Sequence, residues 1–306
     1  MNIFISGGCK NGKSTTACRL AMQLARGAPL YYVATMIPRD AEDRERIAYH
    51  VRRREGLGFQ TVEQGRRIDQ CRLPKCGATV LLDSVTALMQ NETFGDDGSF
   101  TPCPAQVAEQ LLEFARDAAN VIFISDYLYS DAGCYDQLTK DYCRALAQVD
   151  RTLAEACDAV VEICAATMTV HKGTLPLFWE PLPGHSAREL ILGGAGQGKL
   201  AYAAARYGVN AGDFYRCSPD MAPDLTAPYI YGLENYVLYC LRHDLQPQID
   251  FRPDAVLVCR DLFCGVVPVE PVQRHWRDAT GHYLSRLSAK SARVTRLFGG
   301  LPQRIK

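Results

Sequence analysis

The sequence predicts an α/β fold in which a mostly parallel sheet carries helices on both faces. Short, nearly all-apolar segments alternate with helix-like segments along the chain, for example at 121–125 and 255–259. Strands of a parallel sheet are buried on both faces, so they appear as continuous apolar runs. Ligands of such sheets bind at the carboxyl ends of the strands, and we expect the functional residues there.

A glycine-rich loop follows the first apolar run, residues 3–5, and precedes a helix-like segment at 15–26. The loop residues are Gly7, Gly8, Cys9, Lys10, Asn11, Gly12, Lys13 and Ser14. In this strand–loop–helix setting the pattern G-x-x-x-x-G-K-S is typical of a phosphate loop, whose backbone N–H groups bind phosphate oxygens. Lys13 can reach the β- and γ-phosphates, and Ser14 can ligate Mg²⁺. The sequence therefore predicts a site for a nucleoside triphosphate.

Asp83 follows the apolar run 79–82 and is predicted at the same edge of the sheet. One interpretation makes it an acidic partner of Mg²⁺, as in other phosphate-loop enzymes. The alternative is an N-cap for the next helix, a position that Asp also favours. The four β-forming residues before it favour the magnesium interpretation.

The composition is that of a soluble globular protein. Lys plus Arg and Asp plus Glu number 34 each, so the net charge is zero, whereas proteins that bind nucleic acids or membrane surfaces are usually basic. No apolar run is long enough to span a bilayer. The 13 cysteines form no C-x-x-C pair, which argues against structural zinc, and Cys9 is the candidate for a reactive thiol. No histidine is predicted to bind a metal ion, and no histidine other than His50 is assigned a functional role; His282 is among those without one. We expect a cytoplasmic protein without a nucleic-acid partner.

The phosphate-loop pattern recurs at 193–200 after a second apolar run. Leu200 stands where the first loop has Ser14, and leucine cannot ligate Mg²⁺. The segment 228–232 carries no acid at the place that corresponds to Asp83. The second loop is therefore predicted to be degenerate.

A proline-rich stretch at 174–186 is typical of a linker. It predicts two domains, 1–174 and 187–306, the second a shortened copy of the first. The predicted architecture is a phosphate-loop (RecA-like) α/β domain in tandem with a degenerate copy. The sequence leaves open an intramolecular pseudo-dimer and a homo-oligomer.

A charged helix is predicted over 40–55. Arg46, His50 and Arg53 are spaced four and three residues apart, so they share one helical face. An imidazole can act as a nucleophile or base in phosphate chemistry, and guanidinium groups neutralise phosphate charge. A solvated charged helix is the alternative.

Residues 1–172 resemble the adenosylcobinamide kinase/adenosylcobinamide-phosphate guanylyltransferase family of cobalamin biosynthesis. The pattern R-I-x-x-H-x-x-R-R at 46–54, which follows Ala34-Thr35, is more specific than the phosphate loop alone. The resemblance implies that His50 takes GMP covalently. It also implies a nucleotide site that adds these residues to the loop and Asp83: Ala34, Thr35, Met36, Val51, Arg52, Arg53, Arg54 and Glu63.

The resemblance implies a bifunctional enzyme. It would phosphorylate adenosylcobinamide with ATP or GTP and then transfer GMP from GTP to the corrinoid phosphate. A kinase-only enzyme and a non-catalytic nucleotide sensor are the alternatives. The family usually carries Asn-Glu after the strand at 121–125, where this chain has Asp126-Tyr127. The second copy resembles the C-terminal part of the family and lacks the His50 helix.

Overall fold

The computed structural model describes residues 1–74, 77–129, 135–175 and 187–306. Within these ranges the chain builds two sheets, one after the other. The proline-rich stretch at 174–186 lies almost entirely outside the described residues, so the domain boundaries at 174 and 187 stay a prediction.

The first sheet is parallel except for one edge strand, as the apolar runs predict. Its described strands are β1 (Asn2–Gly7), β2 (Leu30–Ala34), β3 (Gln60–Glu63), β4 (Thr79–Asp83), β5 (Asn120–Asp126), β6 (Ala159–Cys164) and β7 (Thr167–Lys172). They lie in the order β3-β2-β4-β5-β1-β6-β7, and only β7 runs antiparallel to its neighbour. Loop-bearing β1 lies at the centre, and β5 separates it from β4, which ends at Asp83.

Helices cover both faces of this sheet. They are α1 (Lys13–Ala25), α2 (Ala41–Arg54), α3 (Val85–Thr93), α4 (Pro104–Arg116) and α5 (Gln137–Ala156). The charged helix α2 begins after Asp40, whose side chain accepts a hydrogen bond from the Asp43 N–H. Acidic residues in its first turn and arginines in its last turn complement the helix dipole, which explains why so polar a segment is helical. No helix of the described residues is long and apolar enough to cross a lipid bilayer.

The second sheet repeats the strand order of the first. Its described strands are β8 (Glu189–Gly193), β9 (Tyr215–Arg216), β10 (Tyr229–Tyr231), β11 (Val256–Arg260), β12 (Val294–Phe298) and β13 (Leu301–Arg304). They lie in the order β13-β12-β8-β11-β10-β9 and are joined by α6 (Lys199–Tyr207), α7 (Leu233–Arg242) and α8 (Pro271–Lys290).

Strand β8 occupies the position that β1 has in the first sheet. It lies between β12 and β11, as β1 lies between β6 and β5, and each sheet ends in an antiparallel pair. Between β9 and β10 the described chain has no counterpart of α2 and β3. The fold is therefore a tandem of two α/β units, the second smaller, and descent from one family stays a prediction for the second unit.

The second unit packs directly on the first phosphate loop. The Phe263 carbonyl accepts a 2.8 Å hydrogen bond from the Cys9 N–H, and a Cβ on Gly8 would lie only 2.3 Å from the Phe263 ring. Gly281 of α8 faces the carbonyl oxygens of Cys9 and Lys10, each 3.1 Å from an added Cβ. A side chain at position 8 would collide with the ring and carbonyl of Phe263, and one at position 281 would crowd the loop carbonyls, so glycine at both positions favours this close contact on the outer side of the loop.

A buried ion pair between the units leads to a stability prediction. Arg296 of β12 is 6% exposed and donates to Glu162 of β6. We expect Arg296→Met to lower the free energy of unfolding by about 2–4 kcal/mol, because Glu162 loses its closest cation. The matched control is Arg274→Met, which breaks the more exposed pair with Glu42 at 3.2 Å and should cost less than about 1 kcal/mol. Urea unfolding of both variants measures the difference, and equal losses would contradict the prediction.

Candidate functional site

The first phosphate loop is held in shape by its glycines and by Asn11. Gly12 has φ 100°, in the left-handed region, and leads into α1 at Lys13. The Asn11 side-chain amide is buried and donates to the Ile163 carbonyl of β6. The loop is thus anchored to a neighbouring strand before any ligand binds, which lowers the entropic cost of ordering it around phosphate.

Lys13 lies at the centre of the loop. Its ammonium donates to the Gly8 carbonyl at 2.5 Å and to Asp126 Oδ1 at 2.6 Å. Burial alone would raise the pKa of Asp126, but the adjacent Lys13 ammonium lowers it overall, so the carboxylate stays ionised. In the sequence, Asp126 stands out only as a departure from the family's usual Asn-Glu pair. Its position as the ion-pair partner of Lys13 is visible only in the structure.

Asp83 lies beside Ser14, as the magnesium interpretation requires. Its Oδ2 accepts hydrogen bonds of 2.9 Å from Ser14 Oγ and from the Tyr32 hydroxyl. The alternative interpretation, in which Asp83 caps the next helix, is wrong. Ser84 is the N-cap of α3 and accepts from the Ala87 N–H at 3.1 Å, which leaves the Asp83 carboxylate directed toward the loop.

Arg53 connects helix α2 to α1, the helix that follows the phosphate loop. The Arg53 guanidinium donates to Thr15 Oγ1 of α1 at 2.6 Å. The face predicted from the spacing, Arg46, His50 and Arg53, lines the same cavity as the loop, together with Tyr49. The solvated-helix alternative therefore holds only for the opposite face of α2, which is exposed.

His50 has a lowered pKa. Burial is the main cause, and Lys10, Arg54 and Arg53 act in the same direction, while Asp83 opposes them. A lowered pKa keeps the imidazole neutral at physiological pH, which is the form that has a free nitrogen lone pair. The site thus presents a neutral imidazole in a cationic surrounding suited to phosphate.

The cavity measures about 1400 Å³ and has walls from both units. Cavities for a single small molecule commonly measure about 300–1,000 Å³, so this one exceeds the usual size of a single-ligand site. The second unit contributes the following lining residues: Val266, Val267, His282, Ser285, Arg286, Ser288, Ala289 and Lys306. His282, to which the sequence assigned no role, thus faces the site. No local sequence signal marks this face of α8, because positions 282, 285, 286 and 289 carry largely polar side chains that form no apolar periodicity.

Comparison with known proteins decides the family. A family model described as cobinamide kinase / cobinamide phosphate guanyltransferase matches residues 3–170, more than half of the chain. The chain belongs to this family. Membership assigns it to the nucleotide-dependent kinase and nucleotidyltransferase enzymes of cobalamin biosynthesis, and the second unit lies outside the matched residues.

Other comparisons are more distant. No curated protein matches the chain. One similar solved structure is the flagellar accessory protein FlaH from Methanocaldococcus jannaschii, at 13% identity and TM-score 0.33, with 58% of this chain and 81% of that chain covered. Another is the solved structure of an ATPase domain, at 13% identity and TM-score 0.31, with 53% of this chain and 68% of that chain covered.

The residues that the family resemblance proposed for nucleotide binding fall into two groups. Ten of the proposed site residues line the cavity: Cys9, Lys10, Asn11, Gly12, Lys13, Ser14, Met36, His50, Arg53 and Asp83. The others lie outside the lining: Gly7, Gly8, Ala34, Thr35, Val51, Arg52, Arg54 and Glu63. Nucleotide contacts of both groups stay predictions.

Two members of the outer group have evident structural contacts in this family member. Arg54 is 8% exposed and stacks on the Tyr32 ring, with its guanidinium carbon 3.4 Å from the ring centre. Thr35 is fully buried, and its hydroxyl is bonded at 2.7 Å to both the N–H and the carbonyl of Ser84. These contacts hold β2 against β4 and the start of α3, and so position Asp83.

The surroundings of Cys9 disfavour a reactive thiolate. Its pKa is raised, first by burial and then by the negative charge of Asp126. Reactive cysteines have a lowered pKa, because the thiolate is the nucleophile. Among the described residues no group of three or more His, Cys, Asp or Glu side chains is arranged to hold a metal ion.

Asp150 provides a pH-dependent stability prediction. It accepts from Ser125 and Tyr129, its Oδ1 has no partner among the described residues, and burial raises its pKa to about 7. Because the folded pKa exceeds the unfolded value of 3.8, stability is lost as pH rises between these values. Asp150→Asn should therefore raise the free energy of unfolding by about 1–3 kcal/mol near pH 8 and change it little below about pH 4. Urea unfolding at both pH values checks this, and an equal effect at both would contradict it.

Proposed function

We propose that this chain is a bifunctional enzyme that phosphorylates adenosylcobinamide and then transfers GMP from GTP to the product by way of a guanylylated His50. The observation that carries the proposal is the common cavity of Lys13, Ser14, Asp83 and His50. An enzyme that is only a kinase would not need a neutral histidine beside the loop. A non-catalytic nucleotide sensor would not need all four of these residues.

In the first reaction, the terminal hydroxyl oxygen of adenosylcobinamide attacks the γ-phosphorus of ATP or GTP. The bond to the β,γ-bridging oxygen breaks, the nucleoside diphosphate leaves, and the hydroxyl proton passes to solvent. The Lys13 ammonium, now paired with Asp126 at 2.6 Å, would turn to the phosphate chain and stabilise the charge in the transition state. The cavity of about 1400 Å³ is larger than a single small ligand commonly fills, which supports binding of a nucleotide beside the hydroxyl arm of the acceptor.

The donor set beside the loop fits Mg²⁺. Ser14 Oγ and Asp83 Oδ2 lie 2.9 Å apart, and both are hard oxygen ligands of the kind that Mg²⁺ prefers. When bound, Mg²⁺ would supply positive charge to the phosphate oxygens. Ser14 and Asp83 would hold it, directly or through water.

In the second reaction, a ring nitrogen of His50 attacks the α-phosphorus of GTP. The bond to the α,β-bridging oxygen breaks, and pyrophosphate leaves. A phosphate oxygen of adenosylcobinamide phosphate then attacks the same phosphorus, the P–N bond breaks, and neutral His50 is regenerated. Arg46 and Arg53, which line the cavity with His50, would neutralise the α-phosphate during both transfers.

The experiment that tests the proposal uses GTP labelled at the α-phosphate. The purified protein is incubated with Mg²⁺ and the labelled GTP, and it is then assayed for acid-labile, alkali-stable label. Label that is absent from His50→Ala and chased by adenosylcobinamide phosphate supports the proposal. Bound nucleotide without covalent label would exclude the transferase half and leave the kinase. A cytoplasmic location, the absence of a nucleic-acid partner and any homo-oligomer stay predictions.

A further inference from the structure

The second loop keeps the backbone conformation of the first. Gly193, Gly196 and Gly198 have φ of 152°, 71° and 74°, and the corresponding positions of the first loop, Gly7, Lys10 and Gly12, have 159°, 53° and 100°. The lysine is also placed alike, because Lys199 Nζ donates to the Gly194 carbonyl at 2.6 Å. The N–H-lined concavity that binds phosphate is therefore retained, although the residues for Mg²⁺ are lost.

A cavity of about 500 Å³ opens at this loop. Gly194, Ala195, Gln197, Arg260, Trp276 and Arg277 are among its lining residues. In the strand register Arg260 faces Gly193 as Asp126 faces Gly7, so a cation replaces the acid of the first site. The substitution increases the positive charge where a phosphate chain would lie.

Arg277 is a buried cation with unpaired hydrogen-bond donors beside this cavity. It is 3% exposed, and its Nη2 donates to the carbonyls of Phe263 and Gly265 at 3.1 and 2.8 Å. Its Nε and Nη1 have no hydrogen-bond partner in the described part of the chain, and neither has the buried Nε of Arg260. Unpaired buried donors are unfavourable, and an anion in the cavity would satisfy them.

Two acids lie near these cations. Glu234 accepts from the Arg260 N–H at 2.9 Å, and Asp261, 8% exposed, lines the cavity. Burial raises the pKa of Asp261, although Arg296 and Lys199 oppose this, so its carboxyl takes up a proton more readily than an exposed one.

We propose that the second loop is a magnesium-independent, non-catalytic site for a phosphate chain. Leu200 and the Tyr231-Gly232 pair leave it without the hydroxyl and the carboxylate that would hold Mg²⁺ at the first site. Arg260 and Arg277 in the cavity wall, together with Lys199 at the start of α6, supply the charge instead. The bound phosphate chain can be that of a nucleoside triphosphate, or it can be pyrophosphate, the product released in the proposed guanylyl transfer. This inference concerns a different site from the proposed function and does not depend on it.

Trp276 makes the site measurable. The chain has two tryptophans, Trp179 and Trp276, and the second lines the cavity and bonds to the Glu234 carbonyl at 2.7 Å. In the whole chain carrying Trp179→Phe and Lys13→Ala, with EDTA present, Trp276 is the sole reporter, and the first loop is impaired. We expect a saturable fluorescence change on titration with pyrophosphate. Adding Lys199→Ala or Arg260→Gln should weaken binding by about tenfold or more.

Parallel titrations with nucleotide and with pyrophosphate identify the ligand, and a folding control accompanies each variant. GTP or ATP that binds at least about tenfold more tightly than pyrophosphate identifies a nucleotide as the ligand, and equal affinity identifies the phosphate chain alone. Circular dichroism checks folding, and Arg260→Gln replaces Lys199→Ala if the latter unfolds. A titration that stays silent, or one that neither variant weakens, overturns the proposal. Guanylylation of His50 is not part of the readout, so failure here is distinct from failure of the proposed function.

Discussion

Lys13→Ala is expected to slow phosphoryl transfer to adenosylcobinamide by about 10²–10³-fold. The ammonium is the charged donor of the loop, and it is already held between the Gly8 carbonyl and Asp126 at 2.5 and 2.6 Å. Its loss removes the charged side-chain donor of the loop from the transferring phosphoryl group, whereas the backbone donors remain. The measurement is the rate of adenosylcobinamide phosphate formation at saturating nucleotide.

The control for this prediction is Lys140→Ala. Lys140 is an exposed lysine of α5 that does not line the cavity, so its loss changes the net charge equally and should leave the rate within about twofold. Comparable rates for Lys13→Ala and the unmodified protein would show that the first loop is not the phosphorylation site. A smaller loss in kcat with a large rise in KM would instead point to ground-state binding of the nucleotide.

The parts of the site that are local in sequence were predictable. The first loop is defined by glycine spacing between a strand and a helix, and the structure places it at the carboxyl edge of β1. Helix α2 is defined by its cap and charge pattern, and its bounds, Ala41–Arg54, agree with the predicted 40–55. Both depend on interactions within a few residues, which a single sequence contains in full.

The parts that depend on distant contacts were not predictable. Phe263 and Gly281 cover the outer side of the first loop, more than 250 residues along the chain, and no local pattern specifies which surfaces of two units meet. The same holds for His282, which faces the cavity only because α8 docks there. In the sequence Arg54 is one of three consecutive arginines, 52–54, and nothing distinguishes it from the other two. It is buried because Tyr32 of the sheet beneath α2 lies against its guanidinium group.

His50→Ala is expected to separate the two reactions. Covalent guanylylation and GMP transfer should fall by about 10³-fold or more, because the nucleophile is removed. Phosphorylation should stay within about threefold, since Lys13, Ser14 and Asp83 have no hydrogen bond to His50 among the described contacts. Parallel assays of both products measure the split. Loss of both activities in a folded variant would assign His50 a role in nucleotide binding and contradict the nucleophile.

The pH profile of guanylylation provides an independent check on the nucleophile. Burial and the nearby cations lower the pKa of His50 below its ordinary 6.5, so the reactive neutral form persists to lower pH than usual. Magnesium bound at Asp83 would offset the one negative charge that opposes this shift, and the direction is then unchanged. The single-turnover rate of label formation should therefore stay level from about pH 8 down to the ordinary value and fall only below it. A break at or above 6.5 would mean that His50 carries an ordinary or raised pKa, which is incompatible with a half-buried nucleophile beside Lys10, Arg53 and Arg54.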